Sequence, residues 1–250
     1  MKIEELIHLM ENGDDMASWD AAYTLIMTAP KMDRRLIKVQ ISRVLNVVRS
    51  KAGFRKVNAI TVLGKLFQYA DVKEEILDTL LFAIRDPDED TRRASIFALS
   101  NCISDETRDK ILKAFENLLE DKAETVKYGA LEIMTEVLPH KISNKTFERI
   151  LEFLKVDESW IRWRAVLAIN KAYTELNASE KEKAVSVLRG LIEDKDIFVK
   201  VRAYEALLNI KALEKRDFPE VDEALRKESD FVRQWVLYNK EKGKGSRLNI

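Results

Sequence analysis

Glycine and proline are scarce in this 250-residue chain, with 7 and 4 residues respectively. Average usage would supply roughly 7% and 5%. That shortage argues against a loop-rich β sandwich and against a glycine-looped nucleotide fold. Cysteine occurs once, at Cys102, so no disulfide can form within the chain. A reducing, cytoplasmic setting is the expectation, and the sequons at Asn144 and Asn177 then carry no weight. Histidine occurs only at His8 and His140, and glutamine only at 40, 68 and 234. No run approaches 18 apolar residues, so no membrane span and no membrane partner are expected. The opening segment, MKIEELIHLMENGDD, carries acids where a secretion signal would be apolar.

What is present suits a packed core. Hydrophobic residues reach 46%, and 43 basic side chains balance 43 acidic ones to a net charge of zero. Global disorder is excluded by that composition. Charged residues make up 34%, against a typical quarter. High charge with little glutamine resembles heat-adapted proteins.

Internal repetition organises the chain. The segments DPDEDTRRASIFAL, DKAETVKYGALEIM, VDESWIRWRAVLAI, DKDIFVKVRAYEAL and KESDFVRQWVLYNK align with one another, and GFRKVNAITVL and MASWDAAYTLI are looser copies. The aligned position is Ser18, Arg55, Thr91, Val126, Ile161, Val199 and Val232, with steps of 37, 36, 35, 35, 38 and 33 residues. Each copy holds a first helical pattern, such as EEILDTLLFAI, and then a second. The second has apolar or small residues at offsets 0, 4, 7, 8 and 11 from the aligned position, one face of a 3.6-residue period. Offset 4 is small (Ala22, Ala59, Ser95, Ala130, Ala165, Ala203), which allows close helix approach. Offset 5 is a second apolar stripe: Tyr23, Ile60, Ile96, Leu131, Val166, Tyr204 and Leu237. One helix pair cannot bury both stripes, so the pairs are expected to stack. Pro30, Pro87, Pro139 and Pro219 fall between the predicted helices, and Ser179 with Glu182 reads as a capping box opening the sixth copy. Asp217 and Pro219 suit the start of the last pair.

The run of aspartate, short turn, apolar residue, basic residue and alanine resembles the HEAT repeat in its short, HEAT-like form. Asp86, Asp121 and Asp194 each precede the basic position by six residues. That position reads Trp19, Lys56, Arg92, Lys127, Arg162, Lys200 and Arg233. The resemblance covers about residues 2–240 and implies an all-α fold, a right-handed α-solenoid of about seven two-helix repeats whose second helices line a concave face. One repeat domain is expected over 1–240, with repeats at about 1–30, 31–70, 71–104, 105–140, 141–177, 178–214 and 215–240, and a basic tail at 241–250. The basic ladder is expected to pair with the turn aspartates; an anion-binding track is the alternative.

Signatures of catalysis are thin. The closest glycine pair, Gly243 and Gly245, makes neither a phosphate loop nor a dinucleotide turn. Glu5 and His8 form one ExxH, where a di-iron bundle needs two with further glutamates. Some HEAT-like enzymes hold iron through several His-Glu pairs, but His8 precedes Leu9 and His140 precedes Lys141, which excludes that activity. Cys102 lies at offset 11 and reads as structural. No catalytic residue, metal ligand or cofactor is assigned.

Two surfaces stand out. Residues 31–65 hold ten bases and one acid, a balance of +9, whereas 71–90 hold eight acids and two bases, a balance of −6. Lys31, Arg35, Lys38 and Arg49 share one face of a first helix as a basic ridge. It reads either as a site for an anionic partner or as solvated surface neutralised by the acidic copy beside it. The outer stripe of the second helices, at offsets 2, 6 and 9, should be Lys, Glu and Gln if it merely meets water. It reads Arg93, Phe97 and Ser100, then Tyr128, Glu132 and Thr135, then Trp163, Leu167 and Asn170, then Val201, Glu205 and Leu208. Trp160, Arg164 and Arg202 flank it. Arg93, Phe97, Tyr128, Trp160, Trp163, Arg164, Leu167 and Arg202 therefore form a candidate groove, unless offset 2 packs against the neighbouring repeat. The leading function is a non-enzymatic scaffold that binds a protein or peptide. The alternative is a nucleic-acid-binding HEAT-like protein, including a glycosylase-like repair protein, which DESWIRWRA resembles. The paired-tryptophan-plus-aspartate segment of those glycosylases has no match here.

Overall fold

The computed structural model describes residues 2–31, 33–137 and 141–212, with the side chains of 34, 36 and 137 excepted. The seventh copy, the tail, Pro139, His140, Asp217, Pro219, Val232, Arg233 and Leu237 lie outside the described residues. Twelve α-helices and no strand occur among the described residues. They are α1 Ile3–Asn12, α2 Asp15–Thr28, α3 Arg34–Ser50, α4 Gly53–Leu66, α5 Lys73–Ala83, α6 Glu89–Ser100, α7 Arg108–Leu118, α8 Glu124–Val137, α9 Asn144–Phe153, α10 Ser159–Ala172, α11 Ala178–Gly190 and α12 Ile197–Asn209. They form six pairs, one for each of the first six copies. The chain divides into two compact units, Met1–Leu138 and Pro139–Ile250. The division falls beside the expected boundary between the fourth and fifth copies.

In the first unit each odd helix packs on the even helix that follows it, and α2, α4, α6 and α8 pack side by side. In the second unit α9 packs on α10, α11 on α12, and α10 on α12. This neighbour-to-neighbour packing is an all-α solenoid arrangement. The apolar pattern explains it. At offset 4, Ala59, Ser95, Ala130, Ala165 and Ala203 are fully buried, and at offset 5 so are Ile60, Ile96, Leu131, Val166 and Tyr204. Cys102 is buried as expected.

A close approach between second helices lies at a glycine the apolar pattern does not mark. A Cβ on Gly64 would meet the Ala98 Cα at 2.6 Å and its carbonyl oxygen at 2.9 Å. Only a residue without a side chain lets α4 and α6 pack this tightly.

Three expectations need correction. First, the copy-one register is off by one residue. In α4, α6, α10 and α12 the N-cap (Ala52, Asp88, Glu158, Asp196) lies three residues before the aligned position. In α2 the N-cap is Asp14, whose carboxylate accepts from the Ala17 amide at 2.8 Å. Ala17, not Ser18, is therefore the equivalent position. Ala22 takes the buried offset 5, while Tyr23, expected there, is 53% exposed. Adjacent alanines at 21 and 22 fit either register, so the apolar pattern alone does not choose. Second, the capping box of α11 is Asn177 with Glu180, two residues earlier than expected. The Asn177 side chain accepts from the Glu180 amide at 3.0 Å, and Glu180 accepts from the Asn177 amide at 2.9 Å. Asn-x-x-Glu satisfies the motif as well as Ser-x-x-Glu, and the earlier start adds residues to the helix. Third, Val201 and Thr135, expected on the open stripe, are both buried. At those two points the stripe packs inward.

Candidate interaction surface

Three rungs of the basic ladder, Lys56, Arg92 and Arg162, are internal clamps. The Arg92 guanidinium donates from Nε and Nη2 to the two Asp121 carboxylate oxygens, both at 2.8 Å. Its Nη1 donates to the Asp86 and Pro87 carbonyls at 2.8 and 3.0 Å. Arg162 repeats the arrangement one unit later. It is bidentate on Asp194 at 2.9 and 2.7 Å, with Nη1 on the Val156 and Asp157 carbonyls at 2.8 and 2.7 Å. Lys56 reaches Asp86 at 2.5 Å. Each of these three cations thus bonds the aspartate of the following repeat, whereas Lys127 pairs with Glu124 of its own helix at 2.6 Å. The arginines in addition hold the carbonyls of their own turn. Burial would raise the Asp121 and Asp194 carboxyl pKa values, but the hydrogen bonds from the arginine and a backbone amide outweigh it and hold both below the ordinary range. The guanidiniums of Arg92 and Arg162 are shifted up by the same hydrogen bonds. In the first repeat the register correction puts Ser18 at this position. Ser18 is buried, donates to the Met10 carbonyl at 2.8 Å and accepts from Asn58 at 3.0 Å.

Arg35, Lys38 and Arg49 are exposed on α3, whereas Lys31, expected on the same helix face, is exposed in a 3-10 turn, Ala29–Lys31, that ends before α3 begins. Two of them face acids of the next pair: Lys38 lies 4.0 Å from Asp71, and Arg49 lies 3.0 Å from Glu75 and also donates to Thr79. Arg43, on the same helix, is 3.9 Å from Glu11. A surface cavity of about 330 Å³ opens beside Arg49 between α3, α4 and α5. Its charged groups are matched: Lys56 with Asp86, and Asp78 with Lys110 at 2.6 Å.

The candidate groove residues fall into two sets. In the first unit, Arg93 and Phe97 are exposed on α6, with Arg93 3.2 Å from Asp90, and Tyr128 is half-buried on the adjoining α8. In the second unit, Trp160 is exposed, and Trp163, Arg164, Leu167 and Arg202 are half-buried. Here the structure brings three of them together. The Arg164 guanidinium sits 4.6 Å from the centre of the Trp163 ring and that of Arg202 sits 5.9 Å from it, both within cation–π range. Arg202 also pairs with Glu205 at 2.8 Å.

Sequence reasoning missed the most exposed part of this face. In the corrected register Trp19 and Tyr23 occupy offsets 2 and 6 of the first repeat, the positions of Arg93 and Phe97 in the third. Their rings stack at 5.5 Å with planes 10° apart. Met16 and Met27 continue the same face of α2, at 70% and 59% exposure. Asp14, a strong N-cap residue three positions ahead of Ala17, was the signal that would have found them.

Among the described residues no group of three His, Cys, Asp or Glu side chains could hold a metal ion. No described helix is long and apolar enough to cross a membrane.

Helix pairs stacked on their neighbours, with second helices side by side and cation–aspartate clamps between turns, give the chain a HEAT/armadillo-like helical-repeat fold. No protein-family model matches the chain, and no curated protein matches it. Solved structures do. A designed armadillo repeat protein in complex with the peptide (KR)4 aligns over 84% of this chain and 99% of its own, with a TM-score of 0.64 and 16% identity. Computationally designed armadillo repeat proteins for modular peptide recognition give 0.58 at 17% identity, over 83% of this chain and 99% of theirs. The archaeal HEAT-like repeats protein from Thermococcus onnurineus NA1 gives 0.55 at 16% identity over 94% of each chain. At these identities the likeness is one of fold.

Proposed function

We propose that this protein is a non-catalytic scaffold that holds a protein or peptide partner on the face formed by its second helices. One observation carries the reading. Among the described residues, nine large apolar side chains are exposed; seven (Met16, Trp19, Tyr23, Met27, Phe54, Phe97 and Trp160) stand on second helices and two, Val39 and Phe82, on first helices. Apolar side chains left in water at helical spacing on one face are what a partner-binding surface requires. Aromatic side chains supply contact area at small entropic cost. The designed neighbour solved with (KR)4 supports a peptide or protein partner in general terms.

The test places a photo-crosslinking amino acid at Phe97 and, as a control, at Phe82 on the first-helix face of the third repeat. Adducts with one discrete protein from Phe97 alone support the scaffold. Equal labelling from both positions refutes it. Binding to duplex or single-stranded DNA that falls steeply with salt would install the nucleic-acid reading in its place.

A further inference from the structure

The first repeat differs from the others in charge as well as in exposed surface. Residues 2–30 contain six acids (Glu4, Glu5, Glu11, Asp14, Asp15, Asp20) and one base (Lys2), a balance of 1 − 6 = −5. Helix α2 itself has Asp15 and Asp20, both exposed, and no base. Along its open face run Met16, Trp19, Tyr23 and Met27, at spacings of three or four residues. Eleven residues at 1.5 Å each make this stripe about 16 Å long, parallel to the helix axis. The residues of α4 at the matching positions are Phe54, Val57 and Thr61, which are uncharged, and Lys65, which donates to the Asn101 side chain at 3.0 Å. The two bases near the start of α4 are already engaged: Arg55 donates to the Gly13 carbonyl at 3.1 and 2.5 Å, and Lys56 to Asp86.

We infer that the α2 face docks a basic amphipathic helix, its apolar residues against Met16, Trp19, Tyr23 and Met27 and its lysines or arginines towards Asp15 and Asp20. This rests on the scaffold reading and names a partner class for the first-repeat end of that face. An anchor row parallel to a helix axis fits a second helix packed along it, whose anchors recur at i, i+3, i+4 and i+7. An extended peptide would bring unpaired backbone amides and carbonyls onto the stripe. The open face of α2 has no asparagine or glutamine to receive them, whereas a helix satisfies its backbone internally. Asp15 and Asp20 beside the stripe disfavour an anionic membrane there and, if two faces met symmetrically, a second copy.

The probe is a fluorescein-labelled helical peptide of about 18 residues with leucine at i, i+3, i+4 and i+7 and lysine elsewhere. Its counterpart carries glutamate in place of lysine. Anisotropy should report saturable binding of the lysine peptide to the full chain. The double variant Trp19→Ala/Tyr23→Ala should weaken it by about tenfold or more. Asp15→Asn/Asp20→Asn should weaken it by roughly threefold at low salt and little at high salt. Phe82→Ala should leave it unchanged, and thermal melts should show every variant folded, since all these side chains are exposed. Equal binding of the two peptides overturns the proposal, as does equal loss in Phe82→Ala. A dimer of the free protein that Trp19→Ala/Tyr23→Ala dissolves overturns it in favour of a second copy, and cosedimentation with phosphatidylserine vesicles overturns it in favour of a lipid surface. These results concern the α2 face alone. Crosslinking from Phe97 tests the scaffold separately, so the two readings fail independently.

Discussion

Replacing Arg162 with methionine keeps most of the side-chain volume and removes the clamp between the fifth and sixth repeats. Arg162 is 4% exposed and Asp194 8%. Four hydrogen bonds disappear, two to Asp194 and two to the Val156 and Asp157 carbonyls. Asp194 keeps only the Asp196 amide, at 2.8 Å. A buried carboxylate stripped of its cation costs about 3–5 kcal/mol. For a chain of this size that corresponds to a fall in melting temperature of roughly 10 °C. The reverse change, Asp194→Asn, leaves a buried guanidinium with its two carbonyl acceptors and should cost about 2–4 kcal/mol. Because both variants break one interaction, the double variant should cost less than their sum, with a coupling of about 2 kcal/mol. Urea unfolding of the four proteins measures this directly. Lys195→Met breaks an exposed pair with Asp157 at 3.4 Å and serves as the control, expected within error of the parent. The pH dependence has a definite sign. The Asp194 carboxyl is held below its ordinary value in the folded chain. Its contribution is therefore complete above about pH 4 and lost as pH falls through the lower folded value. The penalty of Arg162→Met should shrink over the same range, since a protonated Asp194 is easier to leave unpaired. A penalty below about 1 kcal/mol, or strict additivity in the double variant, would refute the clamp.

Four further outcomes are expected. Gly64→Ala should cost about 1–3 kcal/mol by urea unfolding because its Cβ collides with the α6 backbone. Gly129→Ala meets only the Ile96 Cδ1 at 3.7 Å and should be neutral or gain up to about 1 kcal/mol of helix propensity. Burial pushes the Cys102 thiol up to about 12, so Ellman's reagent at pH 8 should label it only at the rate of opening or unfolding. Asn177→Ala should cost about 1 kcal/mol and Ser179→Ala much less, as measured by thermal melts, which distinguishes the observed capping box from the alternative two residues on.

The amino-acid sequence by itself determined that the chain is helical, that its helices come in pairs at a period of about 36 residues, and that offsets 4 and 5 of copies two to six enter the core. Those properties follow from local periodicity: offsets 4 and 5 must be buried against something whatever the neighbour is. It also showed that a cation recurs beside the turn aspartates. Tertiary packing decided which aspartate each cation reaches. The partner of Arg92 is 29 residues away and that of Arg162 is 32 residues away, on the following turn, and no spacing rule within one copy reveals that choice. Packing also decided the register of the first repeat. Ala21 and Ala22 satisfy either alignment, and only the Asp14 cap and the exposure of Tyr23 separate them. The candidate surface follows the same division. Arg93, Phe97 and Trp160 were legible as outward residues because the helical period places them there. Trp19 and Tyr23 were not, because one residue of slip turns a helix by about 100° and moves a side chain from the open face to the packed one. Val201 and Thr135 were read as open and are buried, because whether an outward position meets water or a neighbour depends on the neighbouring helices and not on its own.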